Sequence, residues 1–525
     1  MPPPEKWSWQ TSDSASRSPG ASGARRARSP GFRRTVLFTI LGTLLPGAGL
    51  IAARRRWAGG IILGLFVSAL LVLGIWALVD LQGLASAAVR PQVLRVLAVV
   101  LLAAALVWVV VIVVSHLALR SRPTRAQRVG GGFLVGALVF AVAAPMAVAA
   151  RYSYEQANLV NVVFKSEKET RSATRPTLKP AVDPTRRGDA PDPWADKPRL
   201  NVLLLGGDAG RTRTGTRTDT VILASIDTHT GDTTLFSLPR NTARMPFPRD
   251  SKLDDYYPNG YTNGDGSNAE FFLNAMYDNV PASVPDDVLG GTDNLGADVL
   301  KLSVGEALGL EVDYYVLVNL RGFERLVDAL GGITVNINTY IPIGGSTDAG
   351  VPPSDYLDPG PNQKLDGREA LWFARGRYGS DDFARMDRQR CVINAIIEQA
   401  NPANLLARYE KIAKAGKEIV FTDIPQEVLP LMVDLSLRVK DGNVRSVVFK
   451  NGEAGFVSAN PNFNRMRQRV KVALGEAQEP EPSTKPSKKP RQSPGPAAEP
   501  SAASEDVEDS CAYDPEVAAT AQPPR

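Results

Sequence analysis

The sequence predicts an α/β sandwich with a mixed central sheet, preceded by an α-helical transmembrane region. Three observations carry that expectation. Charge is divided unevenly: residues 1–150 hold 16 Lys and Arg against three acids (Glu5, Asp13, Asp80), a net of +13, whereas the other 375 residues hold 44 basic and 52 acidic side chains, a net of −8. The basic part contains uncharged apolar runs of membrane-spanning length. Beyond residue 198, short apolar runs alternate with amphipathic stretches, the pattern of strands and helices packed in layers.

Residues 1–34 are rich in Ser, Pro and Arg and lack an apolar core. They are expected to be a disordered basic segment, not a cleavable signal peptide. Apolar stretches follow at 35–53, 57–79, 96–119 and 129–150. The last three have 22 to 24 residues each without an interior charge, enough to cross a hydrocarbon core of about 30 Å. The first is interrupted by Pro46-Gly47-Ala48-Gly49. Arginines mark the cytoplasmic side: Arg54, Arg55 and Arg56, then Arg120, Arg122, Arg125 and Arg128, and six more between Arg17 and Arg34. Both flanks of 35–53 then lie on one side, so this stretch is expected to be a re-entrant hairpin or weak span turning at Pro46-Gly47. Four full spans would put the six N-terminal arginines on the wrong side. Either way, everything after Ala150 is exported. His116 is expected at the membrane interface.

Residues 151–198 carry Thr, Pro and charge without periodicity and read as an extracytoplasmic linker. A domain at 199–475 begins with an apolar run at 201–205 that ends in Gly206-Gly207, the mark of a buried strand. Strands at 220–226 and 234–238 join through Thr230-Gly231-Asp232 as a hairpin. Helices are expected at 268–277 and 295–308, a strand at 314–318, a helix at 322–330 stopped by Gly331-Gly332, and a strand at 333–337. Residues 344–361 read as a Gly/Pro/Asp loop, and Asp366 as the cap of a helix reaching Phe373. Helices at 386–399, 403–415 and 426–437 and a strand at 444–449 complete the domain. Residues 476–525 are low-complexity Pro, Ser, Glu and Lys, an expected disordered tail.

Rare residues narrow the chemistry. Two histidines (His116, His229) and two cysteines (Cys391, Cys511) cannot build a zinc finger. His229 lies in a turn and is expected to be solvated. There is no P-loop and no dinucleotide fingerprint in a βαβ context, and the folded half is acidic, which argues against nucleic acid. What remains is a set of arginines and aspartates at strand ends, where ligand crevices form in α/β sheets. Asp208 follows the first strand, Arg217 and Asp219 precede the second, and Arg240 closes the third. Downstream lie Arg375, Arg377, Asp381, Asp382, Arg385, Arg388 and Gln389. Several arginines with two aspartates suit phosphate oxygens and a hard divalent cation, Mg²⁺. The plainer alternative is surface ion pairing, which applies equally to Arg211 and Arg213 and to Arg388. Leu300, Leu308, Phe323, Leu326 and Leu330 read as core.

Three ordered motifs point further: NVLLLGGDAGRTRTGTRTDTVILASID through TGDTTLFSLPRN, DYYVLVNLRGFERLVDALGGITVNI, and LDGREALWFARGRYGSDDFARMDRQR. Together they resemble the LytR–CpsA–Psr family over about residues 199–399. The resemblance implies a three-layer αβα sandwich with an apolar tunnel for a polyprenyl chain. It implies transfer of a glycopolymer from a polyprenyl-pyrophosphate carrier to peptidoglycan, with Mg²⁺. Asp208 and Asp219 match the metal aspartates. Arg217, Arg240, Arg375, Arg377 and Arg385 match the pyrophosphate-binding arginines, and Gln389 the polar residue one turn later. Arg240, Arg377, Asp382 and Arg385 are the implied catalytic set, Asp382 either orienting Arg385 or serving as base. Two positions depart from the pattern: Asn241 stands where the family usually has Asp, and Gly210 where it usually has Arg, with Arg211 next in line.

The implied protein is a multi-pass membrane enzyme with an extracytoplasmic catalytic domain. A polyprenyl-pyrophosphate hydrolase, or a non-catalytic lipid-binding or regulatory protein, are the competing expectations, the last opposed by the intact Asp and Arg set. Cys391 reads either as a buried free thiol or, in an oxidising compartment, as the partner of Cys511, folding the tail back over the domain.

Overall fold

The computed structural model describes residues 32–80, 83, 86–120, 124–176, 194, 197–208, 216–265, 268–347, 349–399, 420–477, 504–507 and 511–524. Most of the basic segment 1–34, Arg211, Arg213, the helix expected at 403–415 and much of the tail lie outside these residues. The chain divides into two compact units, residues 1–71 with 104–145 and residues 72–103 with 146–525.

In the first unit, α1 (Phe32–Leu44) and α2 (Ala48–Ala52) flank the expected break. Gly47 takes φ +98° there, and a Cβ on Gly42 would lie 2.9 Å from the Gly49 nitrogen, so small residues let the two arms close. Among the described residues, three helices, each divided between the two units, are long and apolar enough to cross a membrane: α3 (Arg56–Val79), α4 (Pro91–Leu119) and α5 (Arg125–Val163). Each contains one expected span. His116 lies in the last turn of α4. It is buried, its Nδ1 is 3.1 Å from Thr39 Oγ1, and Thr35 Oγ1 donates to the Leu119 carbonyl, so these polar groups join α1 to α4.

In the second unit, β1 (Arg199–Asp208), β2 (Arg217–Asp227) and β3 (Thr233–Leu238) form an antiparallel meander. Then come α6 (Leu295–Leu308), β4 (Tyr314–Asn319), α7 (Leu320–Leu330), β5 (Ile333–Ile337), β6 (Ile341–Ile343), β7 (Asp355–Leu357), β8 (Gly360–Leu365), α8 (Gly367–Arg375) and α9 (Asp382–Gln399). The chain continues through β9 (Val420–Thr422), α10 (Leu429–Asp441), β10 (Val444–Val448), α11 (Phe463–Ala473), β11 (Glu505–Asp506) and α12 (Pro515–Thr520). Seven strands form one mixed sheet in the order β11-β10-β3-β2-β1-β4-β9, with β4 parallel to β1 and β10 parallel to β3.

The sheet is the middle of a three-layer αβα sandwich. Alternate residues of each strand point to opposite faces. Leu203, Leu205, Leu223 and Phe236 pack against α6 and α11, through Leu300, Val304, Met466 and Val470. On the other face, Leu200, Val202 and Tyr314 meet Leu431 and Leu435 of α10, and Ile222 and Leu235 meet Ile393 of α9. A separate cluster joins α7, α8 and α9 to the β5–β8 ribbon, through Val327, Ile333, Leu365, Phe373 and Val392. The loop expected at 344–361 therefore contains β7 and the start of β8, strands with no apolar run of their own.

Two boundary expectations give way. The linker is helical to Val163, and residues 166–176 dock on the domain. Ser166 Oγ donates to Glu427 at 2.7 Å, while Ser172 Oγ, Ala173 N and Thr174 Oγ1 all donate to the buried Asp298 carboxylate at 2.8, 3.0 and 2.5 Å. The polar composition that suggested a free stalk is what satisfies a buried charge. Nor is the end of the chain a loose tail. β11 pairs with β10, and Cys511 is disulfide-bonded to Cys391.

Candidate active site

The site forms where β2, β3 and α9 converge. Register places Asp208 opposite Arg217 on the paired ends of β1 and β2. The backbone of Asp208 is described, whereas its side chain lies outside the described residues. After β3, Pro239 has no amide hydrogen to continue the ladder, and the chain turns at Arg240. The Asn274 amide donates to the Arg240 carbonyl at 3.0 Å, fixing the turn. Arg240 Nη1 then donates to Asp219 Oδ1 at 2.7 Å, and Asn274 Nδ2 to the same oxygen at 3.2 Å. Asn274 is a site residue that the sequence did not reveal. The helix expected at 268–277 is instead two 3₁₀ turns, Ala269–Phe271 and Leu273–Ala275, and a short helix, Met276–Asn279.

From the other side comes the start of α9. Asp381 Oδ1 accepts from the Ala384 amide at 2.8 Å and so caps the helix. This leaves Asp382 turned to the arginines. Arg385 Nη2 lies 2.9 Å from Asp382 Oδ1 and 3.1 Å from Oδ2, with Arg240 and Arg377 at 3.7 and 3.8 Å from Oδ1. Arg385 Nη1 also donates to the Asp219 carbonyl at 2.8 Å, and that side chain is only 4% exposed. Gln389, one turn on, donates through Nε2 to the Ala374 carbonyl at 3.2 Å. Arg375 stacks on Trp372, 5.0 Å from its ring centroid.

Electrostatics follow from this crowding. Burial alone would raise the Asp219 carboxyl, but the Arg240 charge and hydrogen bond, with Arg385 and Asn274, outweigh it and hold the group below the usual carboxylate range. Burial, and then repulsion from Arg240 and Arg385, push the Arg377 guanidinium down, with Asp382 and Asp219 opposing. Arg377 stays charged at neutral pH and lacks full compensation, so an anion beside it would be stabilised. Arg388 does a different job from the surface ion pairing considered for it. Its Nε donates to the Phe373 carbonyl at 2.7 Å and its Nη2 to the Gly376 carbonyl, closing the C-terminal end of α8. Burial, then Arg385, push it down to about 10.

Arg217 is not brought into this cluster. It pairs with Glu270, whose carboxylate is also held by Asn279 Nδ2 at 3.0 Å. His229 sits exposed in its turn, as expected. The structure therefore unites Asp219, Arg240, Arg377, Asp382 and Arg385, sets Arg375 and Gln389 on the adjoining wall, and leaves Arg217 outside.

That wall bounds a cavity of about 270 Å³. The polar part of its lining includes Asp219, Arg375, Arg377, Arg385 and Gln389. In its apolar part, Leu204, Ile222, Val316 and Val318 from the sheet face Phe323, Leu326, Leu371, Val392, Ile393 and Ile396 from α7, α8 and α9. Of the five apolar residues expected as core, Leu300 and Leu308 are core, Phe323 packs against the second cluster while also lining the cavity, Leu326 lines the cavity, and Leu330 is half-buried. Among the described residues, no group of three or more His, Cys, Asp or Glu could hold a metal unaided. Mg²⁺ takes one or two carboxylates, its own waters and substrate phosphate oxygens, and Asp219, held in its ionised form, is one carboxylate of that kind.

A family model described as the LytR_cpsA_psr family matches residues 155–454. The polyisoprenyl-teichoic acid–peptidoglycan teichoic acid transferase TagU of Oceanobacillus iheyensis is 31% identical over 308 residues, 56% of this chain and 82% of that protein. Biofilm regulatory protein A of Streptococcus mutans is 30% identical over 303 residues, 55% of this chain and 67% of that one. Among solved structures, protein gbs0355 of Streptococcus agalactiae is 23% identical, covers 54% of this chain and 91% of its own, and gives a TM-score of 0.40.

Proposed function

This chain belongs to the LytR–CpsA–Psr family, and from that premise we propose that it is a membrane-anchored phosphotransferase. It moves a glycopolymer from a polyprenyl-pyrophosphate carrier to peptidoglycan through a phosphodiester bond. The observation that carries the proposal is the cavity: its lining is mostly apolar and also includes Arg375, Arg377 and Arg385, which suits a ligand with a long hydrocarbon tail and an anionic head. The catalytic domain is extracytoplasmic. Support comes from the arginines flanking the apolar helices and from the disulfide, a bond that persists in oxidising compartments.

A pyrophosphate diester carries two negative charges. Arg240, Arg377 and Arg385 gather around two carboxylates, Asp219 and Asp382, and Arg375 adds a further guanidinium to the cavity lining. In the reaction the acceptor hydroxyl oxygen bonds to the sugar-side phosphorus. The bond to the bridging oxygen breaks, polyprenyl monophosphate leaves with the electron pair, and the hydroxyl proton passes to the leaving phosphate or to water. Charge grows on that leaving phosphate, where fixed guanidiniums stabilise it most, each contact contributing about 3–4 kcal/mol. Asp382 has both oxygens engaged by Arg385, which favours its role in orienting arginines over that of a base. Asp219 and Asp208 would hold Mg²⁺, which supplies further charge neutralisation at the phosphates.

The test is to incubate the full-length protein in detergent with a polyprenyl-pyrophosphate-linked sugar, peptidoglycan fragments, and Mg²⁺ or chelator. Sugar phosphate attached covalently to the fragment is expected, and only with Mg²⁺. Release of free sugar phosphate alone would mean that water is the acceptor and the enzyme a hydrolase.

A further inference from the structure

The last residues of the chain run from the back of the site to its catalytic loop. They start at the disulfide, since Cys391 lies on α9 two residues after Gln389 and six after Arg385. Next they follow β5: Asn336 Nδ2 donates to the Cys511 carbonyl and Asn338 Nδ2 to the Ala512 carbonyl, both at 3.0 Å, and the Asp514 amide donates to Asn338 Oδ1 at 2.9 Å. Asp514 Oδ1 then caps α12, accepting from the Glu516 and Val517 amides. Finally Tyr356 Oη donates to the Pro524 carbonyl at 2.5 Å, and a Cβ built on Gly379 would lie 2.2 Å from Pro524 Cβ. Pro524 thus rests directly on Gly379.

Gly379 is the hinge of the short connection between α8 and α9. It has φ +68°, a conformation that favours glycine, and it stands two residues after Arg377 and three before Asp382. Inside that connection, the Ser380 amide and hydroxyl donate to the Arg377 carbonyl at 2.9 and 3.5 Å, and Gly379 and Ser380 are exposed. Gly376 is buried and held at both its amide and its carbonyl, by the Trp372 carbonyl and by Arg388, so the backbone conformations open to this connection are those of the exposed Gly379 and Ser380. Contact with Pro524 from outside removes some of them.

We propose that residues 511–524 form a strap that positions Arg377 and Asp382, and that the Cys391–Cys511 bond anchors it. The strap touches neither substrate nor the arginine cluster, so it acts through the 376–381 connection. Its consequence for turnover rests on the phosphotransferase reading above, whereas its consequence for the connection does not. Misplacing a reacting group by about 1 Å can cost ~10²-fold in rate, so losing one such restraint is expected to cost about 10-fold in kcat with the donor KM unchanged.

The experiment compares full-length wild type, the Cys391→Ser/Cys511→Ser double variant, and Tyr356→Phe, which keeps the disulfide and removes only the hydrogen bond to Pro524. Amide hydrogen exchange and steady-state kinetics are measured on each. The proposal expects faster exchange at 376–381 in both variants, larger in the double variant, with β1 and β2 unchanged and the loss confined to kcat. Equal exchange at 376–381 in all three proteins would overturn it. So would a kcat loss accompanied by faster exchange throughout the sheet, the mark of general destabilisation. If wild type itself transfers no sugar, the phosphotransferase reading fails, and the exchange comparison still decides the strap.

Discussion

Leu203, Leu205, Tyr315 and Leu317 lie on one face of β1 and β4, each no more than 5% exposed. Leu204, Val316 and Val318, alternating with them on the same strands, are only partly buried and line the cavity. Composition does not separate the two faces, since both are aliphatic. The helices do. α6 and α11 direct Leu300, Val304, Met466 and Val470 into the sheet and fill the space. α7, α8 and α9 bury much of their apolar surface against one another and against the β5–β8 ribbon, so they stand off from the sheet at its β1–β4 end. The cavity is therefore a difference in where helices place their apolar side chains, and the charged residues of its lining stand at or beside strand and helix ends.

The largest expected effects lie at the charged cluster. Asp219→Ala removes the anchor of Arg240 and a proposed metal ligand, and Arg377→Ala removes a guanidinium that faces Asp382 from 3.8 Å. Each is expected to lower kcat by about 10²–10³-fold in the sugar-transfer assay, with the domain still folded by circular dichroism. Arg217→Ala, whose partner is Glu270 outside the cluster, should lose far less. Equal losses for Arg217 and Arg377 would mean that Arg217 leaves Glu270 when donor binds, and the boundary of the site would need redrawing.

A sharper contrast comes from matched leucines. Leu300→Ala on the filled face should cost about 2–5 kcal/mol in denaturant unfolding and leave the donor KM unchanged. Leu326→Trp on the open face should do the reverse, raising KM for a long-chain donor by about 10-fold (~1.4 kcal/mol) with little change in stability, and sparing a short-chain donor. If Leu326→Trp proved as destabilising as Leu300→Ala, the open face would be ordinary core and the two-face comparison would collapse.

The filled face was the more legible in sequence. β1, β2 and β4 carry near-continuous apolar runs because the sheet is covered on both sides, and Gly206-Gly207 at the end of the β1 run and Pro239 after β3 are visible without a structure. β8 was not legible. Gly360–Leu365 has no apolar alternation and becomes a strand only by pairing with β5. Phe323 and Leu326 were expected as core like Leu300 because helical periodicity shows which side is apolar, not whether a neighbour fills the space opposite. In the charged cluster, Asp219, Arg240, Arg377, Asp382 and Arg385 announced themselves by position at strand and helix ends. Arg217 shares a strand face with Asp219, yet its direction is decided by Glu270, 53 residues away. Asn274 carries no signal at all, being one polar residue in a stretch that resembled a helix. The strap was hidden by low complexity, with Cys511 its one mark.

The smallest predicted effect uses protons to separate the two regions. The Asp219 carboxyl is held below its ordinary value because Arg240 and Arg385 together outweigh the penalty of burial. A carboxyl whose folded pKa lies below its unfolded value, near 3.9, adds stability that is fully present above the unfolded value. That contribution is lost as pH falls through the lower, folded value. The stability gap between wild type and Asp219→Asn should accordingly stay constant from pH 7 to 5 and narrow only below about pH 4. Leu300 binds no proton, so the Leu300→Ala deficit should not change over the same range. The measurement is urea unfolding of the three proteins at matched ionic strength. A gap for Asp219→Asn that closed between pH 6 and 5 would put the carboxyl at or above its ordinary range. Burial would then outweigh the arginines, and Asp219 would no longer be the ready-ionised ligand that the proposed Mg²⁺ site needs.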